Sequence, residues 1–253
     1  MARVARLTRY PVKALSGETV ESARITSGGT LAGDREFALF AADGDPVNGK
    51  RTRRVHDIET TCDAGVVTVT TEDDDATFDL RDADGRADAE TWFSDFFDLD
   101  VEVRRDAELG FVDRRRAGPS VISTATLETV ADWYDVTVEN VRRRMRANVE
   151  IAGVPAFWED QFVGDGPDGF HAGDVSVSGV EPCGRCVVPE RDPDTGDRDP
   201  EFRERFLTRR EATFPDWVDR DAFDHYYALM LIADVPAADR GETLTVGDSV
   251  TLS

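Results

Sequence analysis

Apolar and polar residues alternate in short bursts over the first hundred positions. Val66-Val67-Thr68-Val69-Thr70 is one clear case, and a period of two is the mark of a half-buried strand. On this basis strands are predicted at Val4–Val12, Thr19–Thr26, Glu36–Ala41, Ile58–Thr61, Val66–Thr70 and Ala76–Leu80, with Gly and Asp turns such as Asp43-Gly44 and Asp84-Gly85 between them. Many short strands at close spacing predict a barrel or sandwich. The period then lengthens. Asp88–Phe97 places Trp92, Phe93, Phe96 and Phe97 on one helical face, a stripe that reads as core. A strand at Val101–Arg105 closes this part.

Asp113–Pro119 is rich in arginine and reads as a connecting loop. Val121–Ser123 is a short strand leading into a helix at about Ala125–Tyr134, with Leu127, Val130, Ala131 and Tyr134 at helical spacing and Ser123-Thr124 as natural N-caps. Further strands are expected at Asn148–Ile151, Val175–Val180, Tyr227–Asp234 and Thr243–Leu252, and Pro200–Arg220 is expected to be partly helical. The fold class that follows is mostly β with a few helices. It divides into a β-barrel-like N-terminal subdomain (residues 1–105) packed on a second β-rich subdomain (residues 106–253).

Charge changes the picture next. Fifty-two acidic residues face thirty basic ones, for a net charge of −22, and only Lys13 and Lys50 are lysines. At about 1 M salt the Debye length falls to about 3 Å, so carboxylate repulsion is screened; the composition predicts a halophilic protein of a salt-rich cytoplasm. Such a charge excludes nucleic acid as a partner, because binding phosphates needs a basic face. No apolar run approaches membrane-spanning length, and no export signal is recognisable at the N-terminus. Three cysteines give no disulfide framework.

Two of those cysteines lie three apart, in Glu181-Pro182-Cys183-Gly184-Arg185-Cys186, upstream of Asp192-Pro193-Asp194-Thr195-Gly196. A structural zinc site needs four ligands, and Cys62, His56, His171 and His225 are too scattered to complete one. A thioredoxin-type pair needs a helix start, whereas a turn-rich, proline-containing run follows Cys186. Two small buried hydrophobes, or one cysteine holding a soft metal, remain open. Lys13, Gly33-Asp34-Arg35 and Arg142-Arg143-Arg144-Met145-Arg146-Ala147-Asn148 concentrate cations near strand ends. Local carboxylates or a bound phosphate would answer them, and Ser123-Thr124 at a helix start would add N–H donors.

Tyr10-Pro11-Val12-Lys13, Asp34-Arg35, Arg144-x-Arg146-x-Asn148, Cys183-x-x-Cys186 and Asp192-Pro193-Asp194-Thr195-Gly196 fall in the order and spacing of a known family. The chain resembles MOSC proteins, relatives of the C-terminal domain of molybdenum cofactor sulfurase. Within them it is most similar to the subgroup with an N-terminal MOSC β-barrel domain, which includes the mitochondrial amidoxime-reducing component. The resemblance implies a molybdopterin-type molybdenum cofactor with Cys186 as the protein's metal ligand and catalytic centre. It places Lys13, Arg35, Ser123, Arg144, Arg146 and Asn148 around the pterin and its phosphate, with Thr124 beside them at the helix start and Asp194 in the site wall. Departures from the family pattern are Ala14 for Ser, Ser123-Thr124-Ala125 for Ser-Glu-Ala, Ala147 for Pro, and Asn48-Gly49-Lys50 for Thr-x-Arg.

The function implied is reduction of N-hydroxylated compounds such as amidoximes and hydroxylamines by oxygen-atom transfer to molybdenum. Lacking a cysteine cluster and a dinucleotide fingerprint, the chain would draw electrons from a separate ferredoxin-like or haem protein with its reductase. Sulfur carriage on Cys186, or cofactor delivery, is the alternative; a MOSC-like scaffold without activity is the blander one. The salt reading has its own test: far-ultraviolet circular dichroism is expected to collapse on dialysis to low salt, and an unchanged spectrum would count against it.

Overall fold

The computed structural model describes residues 1–113 and 118–253. Arg114–Ala117, the centre of the expected connecting loop at 113–119, lie outside the described residues.

An eight-stranded sheet carries the fold. Its order is Val250–Leu252, Gly169–Ala172, Val175–Gly184, Ala228–Asp234, Ser120–Ser123, Val149–Ala152, Arg3–Arg9 and Glu18–Val20, so strands from both ends of the chain share it. Ala228–Asp234 is a near-continuous apolar run and lies in the middle, buried along most of its length, as expected of a strand covered on both faces. Ser120–Ser123 and Val149–Ala152 pair in parallel, Val121 against Val149 and Ser123 against Ile151. Parallel neighbours cannot be joined by a hairpin and need a crossover. Helices α2 (Thr124–Tyr134) and α3 (Val138–Met145) fill this one, so the chain returns to the sheet at Arg146-Ala147-Asn148.

The N-terminal part has a separate core of Val12, Phe37, Leu39, Val67, Val69, Phe93, Phe97 and neighbours. It is built from the meander Glu59–Asp63, Val66–Thr70 and Asp75–Asp79, the pair Phe37–Ala41 with Val101–Arg105, and helix α1 (Ala83–Phe97). Ala89, Phe93 and Phe97 are the buried residues of α1, four apart as helical geometry requires. Trp92 stacks on Phe96 at the edge of this core. The helix starts five residues before the expected Asp88. Gly85 makes that possible, because a Cβ there would come within 2.2 Å of the Asp79 carbonyl.

Two strand expectations are corrected, and one strand is added. Thr19–Thr26 is two strands, Glu18–Val20 on the large sheet and Ser22–Arg24 pairing with Thr243–Thr245. The expected strand Thr243–Leu252 breaks at Gly247, whose φ of +98° suits glycine. The released Val250–Leu252 pairs with Gly169–Ala172, which is too short for its alternation to register. Within Pro200–Arg220, helix α4 spans Phe202–Ala212.

Beneath α2 lies a buried polar knot. Glu159 is inaccessible to solvent; its Oε2 accepts from the Ser123 amide at 3.1 Å and the Thr126 hydroxyl at 3.2 Å, while Oε1 has no partner. Neighbouring Asp160 pairs with Arg210, buried among Phe157, Phe214 and Phe223. Burial, and then the Asp160 charge, push the Glu159 carboxyl up to about 7. A carboxyl with a raised folded-state pKa stabilises the fold when protonated, and that contribution fades as pH climbs from the ordinary carboxylate range towards 7. Glu159→Gln is therefore expected to gain thermal stability relative to wild type between pH 5 and pH 8. Melting curves across that range check it; a difference independent of pH would show that Glu159 does not titrate this way.

Candidate functional site

One face of the large sheet floors a cavity of about 680 Å³. Because side chains alternate along a strand, the floor takes every second residue of neighbouring strands: Thr8, Glu150, Ser120 with Ile122, and Met230 with Ile232. The intervening Leu7, Val149, Val121, Leu231 and Ala233 point into the core on the far side. Three elements wall the cavity: the end of α3, the loop after Val175–Gly184, and the N-terminal part through Lys13, Asn48–Lys50 and His56. Among the described residues, ten that line it are Lys or Arg and five are Asp or Glu. That reverses the balance of the chain as a whole, and both of its lysines stand here.

Its cations have different tasks. Arg144 is almost wholly buried, with every donor nitrogen engaged. Nη1 donates to the carbonyls of Pro189 (2.9 Å) and Arg191 (2.7 Å), Nη2 to Asp192 (3.0 Å), and Nε to Asn140 (2.7 Å). Lys13 donates to Asp113 at 2.6 Å. Arg35, in a left-handed conformation at φ +52°, pairs with Asp34 and reaches Asn148 Oδ1 at 3.4 Å. Arg143 pairs with Asp194 and donates to the Pro193 carbonyl.

Arg146 differs from these. It caps α3 in the left-handed region (φ +59°), and its guanidinium stacks over the Tyr10 ring, 4.0 Å from the centroid. Its Nη2 is buried without a hydrogen-bond partner. Burial lowers its pKa to about 10, with Arg35 and Arg185 adding to the effect and Tyr10 and Asp34 opposing it. A cation–π contact contributes about 0.5–2 kcal/mol, less than the several kcal/mol that burying an ion costs. An incoming anion would make up the difference. Gly17 lets the ring stand where it does, since a Cβ there would meet Tyr10 Cε1 at 2.4 Å.

The thiols separate. Both line the cavity, but Cys186 is exposed whereas Cys183 is buried, its Sγ accepting from Arg185 Nη1 at 3.2 Å. The Asp192–Gly196 turn is built by Asp192, whose Oδ1 accepts from the amides of Asp194 (2.9 Å) and Thr195 (3.2 Å). Asn148 is a buried tie. Its Oδ1 accepts from the Ser120 amide and hydroxyl, and its Nδ2 donates to the Thr8 carbonyl at 3.1 Å.

The structure thus gathers Lys13, Arg35, Arg144, Arg146, Asn148, Cys186 and Asp194 around one cavity. Ser123 and Thr124 are not among its lining residues. Ser123 is fully buried, its hydroxyl accepting from the Thr126 amide and contacting the Pro155 carbonyl, while Thr124 donates to Glu150 at 2.8 Å. Both serve the helix start and the crossover; Ser120 and Gly118 reach the cavity instead. Sequence reasoning also missed His56 and Arg191 as wall residues, since a lone histidine and a turn arginine carry no spacing signal. His56 Nε2 is buried without a partner, and burial, then Arg146, Arg191 and Arg143, lower its pKa.

Among the described residues no group of three or more His, Cys, Asp or Glu could hold a metal ion. A metal beside Cys186 would have to bring its other ligands with it. A soft metal on a group that also carries an anion fits this donor set, with an open thiol and, among the described residues, buried guanidinium nitrogens of Arg146 and Arg185 that have no partner. Fold and cavity together define a two-part β protein with a cation-rich cavity beside an exposed thiol. Residues 1–108 match the MOSC N-terminal beta barrel domain and residues 116–251 the MOSC domain; the chain belongs to the MOSC family. It is 25% identical over 231 residues to human mitochondrial amidoxime-reducing component 1, covering 76% of this chain and 67% of that protein. Against the mouse protein of the same name it is 26% identical over 289 residues, covering 98% of this chain and 82% of that one. Among solved structures, the YUAD protein from Bacillus subtilis superposes with a TM-score of 0.45 at 11% identity, covering 98% of this chain and 93% of that one. Among the described residues no helix is long and apolar enough to cross a membrane.

Replacing Arg146 by Met removes a buried charge that has no partner. The cofactor-free variant is expected to melt no lower than wild type, and to lose the stabilisation that inorganic phosphate confers. For wild type that stabilisation is roughly 2.7 kcal/mol at a hundredfold excess over the dissociation constant. Melts with and without phosphate decide it; equal stabilisation of both proteins would remove Arg146 from the anion site.

Proposed function

We propose that this chain binds a molybdopterin-type molybdenum cofactor and uses it to reduce N-hydroxylated compounds, amidoximes and hydroxylamines among them. One observation carries the reading: the exposed thiol of Cys186 shares a cavity with the guanidinium of Arg146, whose buried Nη2 has no hydrogen-bond partner among the described residues. When bound, the group would supply the two-electron redox chemistry at its metal. The names of the amidoxime-reducing relatives point to the substrate class. The overall conversion is R–NHOH + 2 electrons + 2 protons → R–NH2 + water.

The chain's own residues bind and orient. Arg146 would take the anionic phosphate in a charge-assisted hydrogen bond, with Lys13, Arg35 and Lys50 closing the cationic lip. Lys13 and Arg35 already hold carboxylates, Asp113 and Asp34, so they would share charge with the ligand. Asn148 keeps three strands in place beneath the site and supports the floor. Cys186 would provide the single protein ligand to the metal. A volume of about 680 Å³ lies within the range of cofactor and small-molecule pockets. Electrons would come from a separate donor protein.

The alternative is that Cys186 carries sulfur, or that the chain delivers the cofactor to another enzyme; the openness of the thiol favours it. Metal analysis of protein from a molybdenum-replete host separates the readings. About one molybdenum per chain, with benzamidoxime reduction by a chemical reductant, is expected. A cyanide-labile sulfur without metal would favour the carrier. Cys186→Ser should fold and lose most of the activity, at least about a hundredfold. Wild-type turnover by that variant would end the proposal.

A further inference from the structure

The cavity is assembled from two parts of the chain, and the loop that bears Cys186 is where they meet. Arg191, five residues beyond the thiol, is the link. Its Nε donates to the carbonyl of Gly49 at 2.7 Å and its Nη1 to the carbonyl of Gly196 at 2.9 Å. Gly49 lies in the Asn48–Lys50 turn of the N-terminal part, whose residues line the cavity; Gly196 closes the turn built on Asp192. The carbonyl of Arg191 is held in turn by Arg144 Nη1 at 2.7 Å. A continuous chain of hydrogen bonds therefore runs from α3, two residues before Arg146, through the thiol loop to the turn that carries Lys50.

Two further contacts keep the same surfaces together. Arg53 reaches Asp197 at 3.2 Å, an exposed pair worth little by itself. At Gly196 a Cβ would stand 3.0 Å from the Arg53 carbonyl and 3.4 Å from His56 Cβ, so the turn lies flush against the segment Arg53–His56. Neither contact needs the planar fork that spans two carbonyls. Only a guanidinium presents its donors in that fixed fork.

The geometry points to Arg191 as a positioning residue. It couples the N-terminal turn Asn48–Lys50 to the Cys186 loop, and so sets where the thiol stands relative to the cationic lip. This rests on the reading of Cys186 as the ligand of a redox group. It goes beyond that reading by making the N-terminal part a fixed wall of the reaction site.

Hydrogen exchange by mass spectrometry on the cofactor-free protein tests the coupling without any turnover. In Arg191→Leu, exchange should rise together in residues 187–198 and 48–52, by at least about fivefold, while the eight-stranded sheet stays protected. Arg191→Lys, able to satisfy one carbonyl but not both, should protect one of the two segments only. In the loaded protein Arg191→Leu should retain molybdenum and lower kcat by at least about tenfold with KM little changed, because a small misplacement of a reacting group acts on the transition state. Faster exchange confined to 187–198, unchanged exchange in both segments, or wild-type kcat would each overturn the inference, and so would loss of molybdenum with exchange unaltered. If wild type itself binds no molybdenum, the redox reading falls while the exchange data still decide whether the coupling exists.

Discussion

A buried guanidinium without a counter-charge is the constraint around which the site is arranged. Arg146 sits at the end of α3, where the crossover returns to the sheet, and it adopts a left-handed backbone conformation that is uncommon for a residue with a side chain. Its partner in the protein is the face of Tyr10, which attracts a cation but does not neutralise it. That arrangement survives because its surroundings are over-determined. Asn148 ties the returning strand to Ser120 and Thr8, and Arg144 pins the adjoining loop through three donor contacts while a fourth holds Asn140 of its own helix. A cation held this firmly, with no ion-pair partner among the described residues, is what the proposed anionic ligand would answer.

Net charge gives no hint of this. The chain carries twenty-two more acidic than basic residues, yet the cavity reverses the sign. Within the arginine run itself the roles divide by geometry. Arg142 pairs with Glu150 and Glu139, Arg143 with Asp194, and Arg144 with backbone carbonyls and Asp192, and only Arg146 retains a buried nitrogen with no acceptor. Four arginines within five positions of one helix end thus do two jobs. Three fix the walls and one faces the vacancy in charge. A helix turns by about 100° per residue, which aims neighbours in the run at different surroundings.

Much of the fold was legible because half-buried strands advertise themselves by alternation, as Val66–Thr70 does, and because the aromatic stripe of α1 has helical spacing. Helix α3 was not legible. Val138, Val141 and Met145 do fall at helical spacing and pack into the cluster beneath α2, but three apolar residues in eight leave a weak signal, and the Thr137 cap, the Arg142–Glu139 pair and the demand of a parallel crossover are not reported by periodicity. At the site, the motifs named the right segments but not the tasks of their residues. Ser123 and Thr124 look like ligand donors from sequence because a helix start attracts anions. Glu150 already occupies the Thr124 hydroxyl and Glu159 the Ser123 amide, while the Ser123 hydroxyl serves the Thr126 amide and the Pro155 carbonyl. His56 and Arg191 become site residues only through the meeting of the two parts, and no local pattern encodes that.

The cysteine pair shows the same division between pattern and geometry. Three residues apart in sequence, the two thiols could serve equally; the sheet separates them. Between the pairs Leu231–Pro182 and Ala228–Gly184, Leu229 and Met230 oppose Cys183 alone, a two-against-one bulge of the kind that re-aims side chains beside active sites. Met230 is held at φ +77°, a backbone state that costs of order 1–3 kcal/mol for a residue other than glycine. The bulge coincides with a turn of the strand end. Cys183 stays against the apolar cluster beneath α2 and takes a hydrogen bond from Arg185, while the chain leaves the ladder and carries Cys186 out to the cavity wall. The strain at Met230 therefore sits at the bulge opposite Cys183, where the strand that carries the thiols loses its regular register.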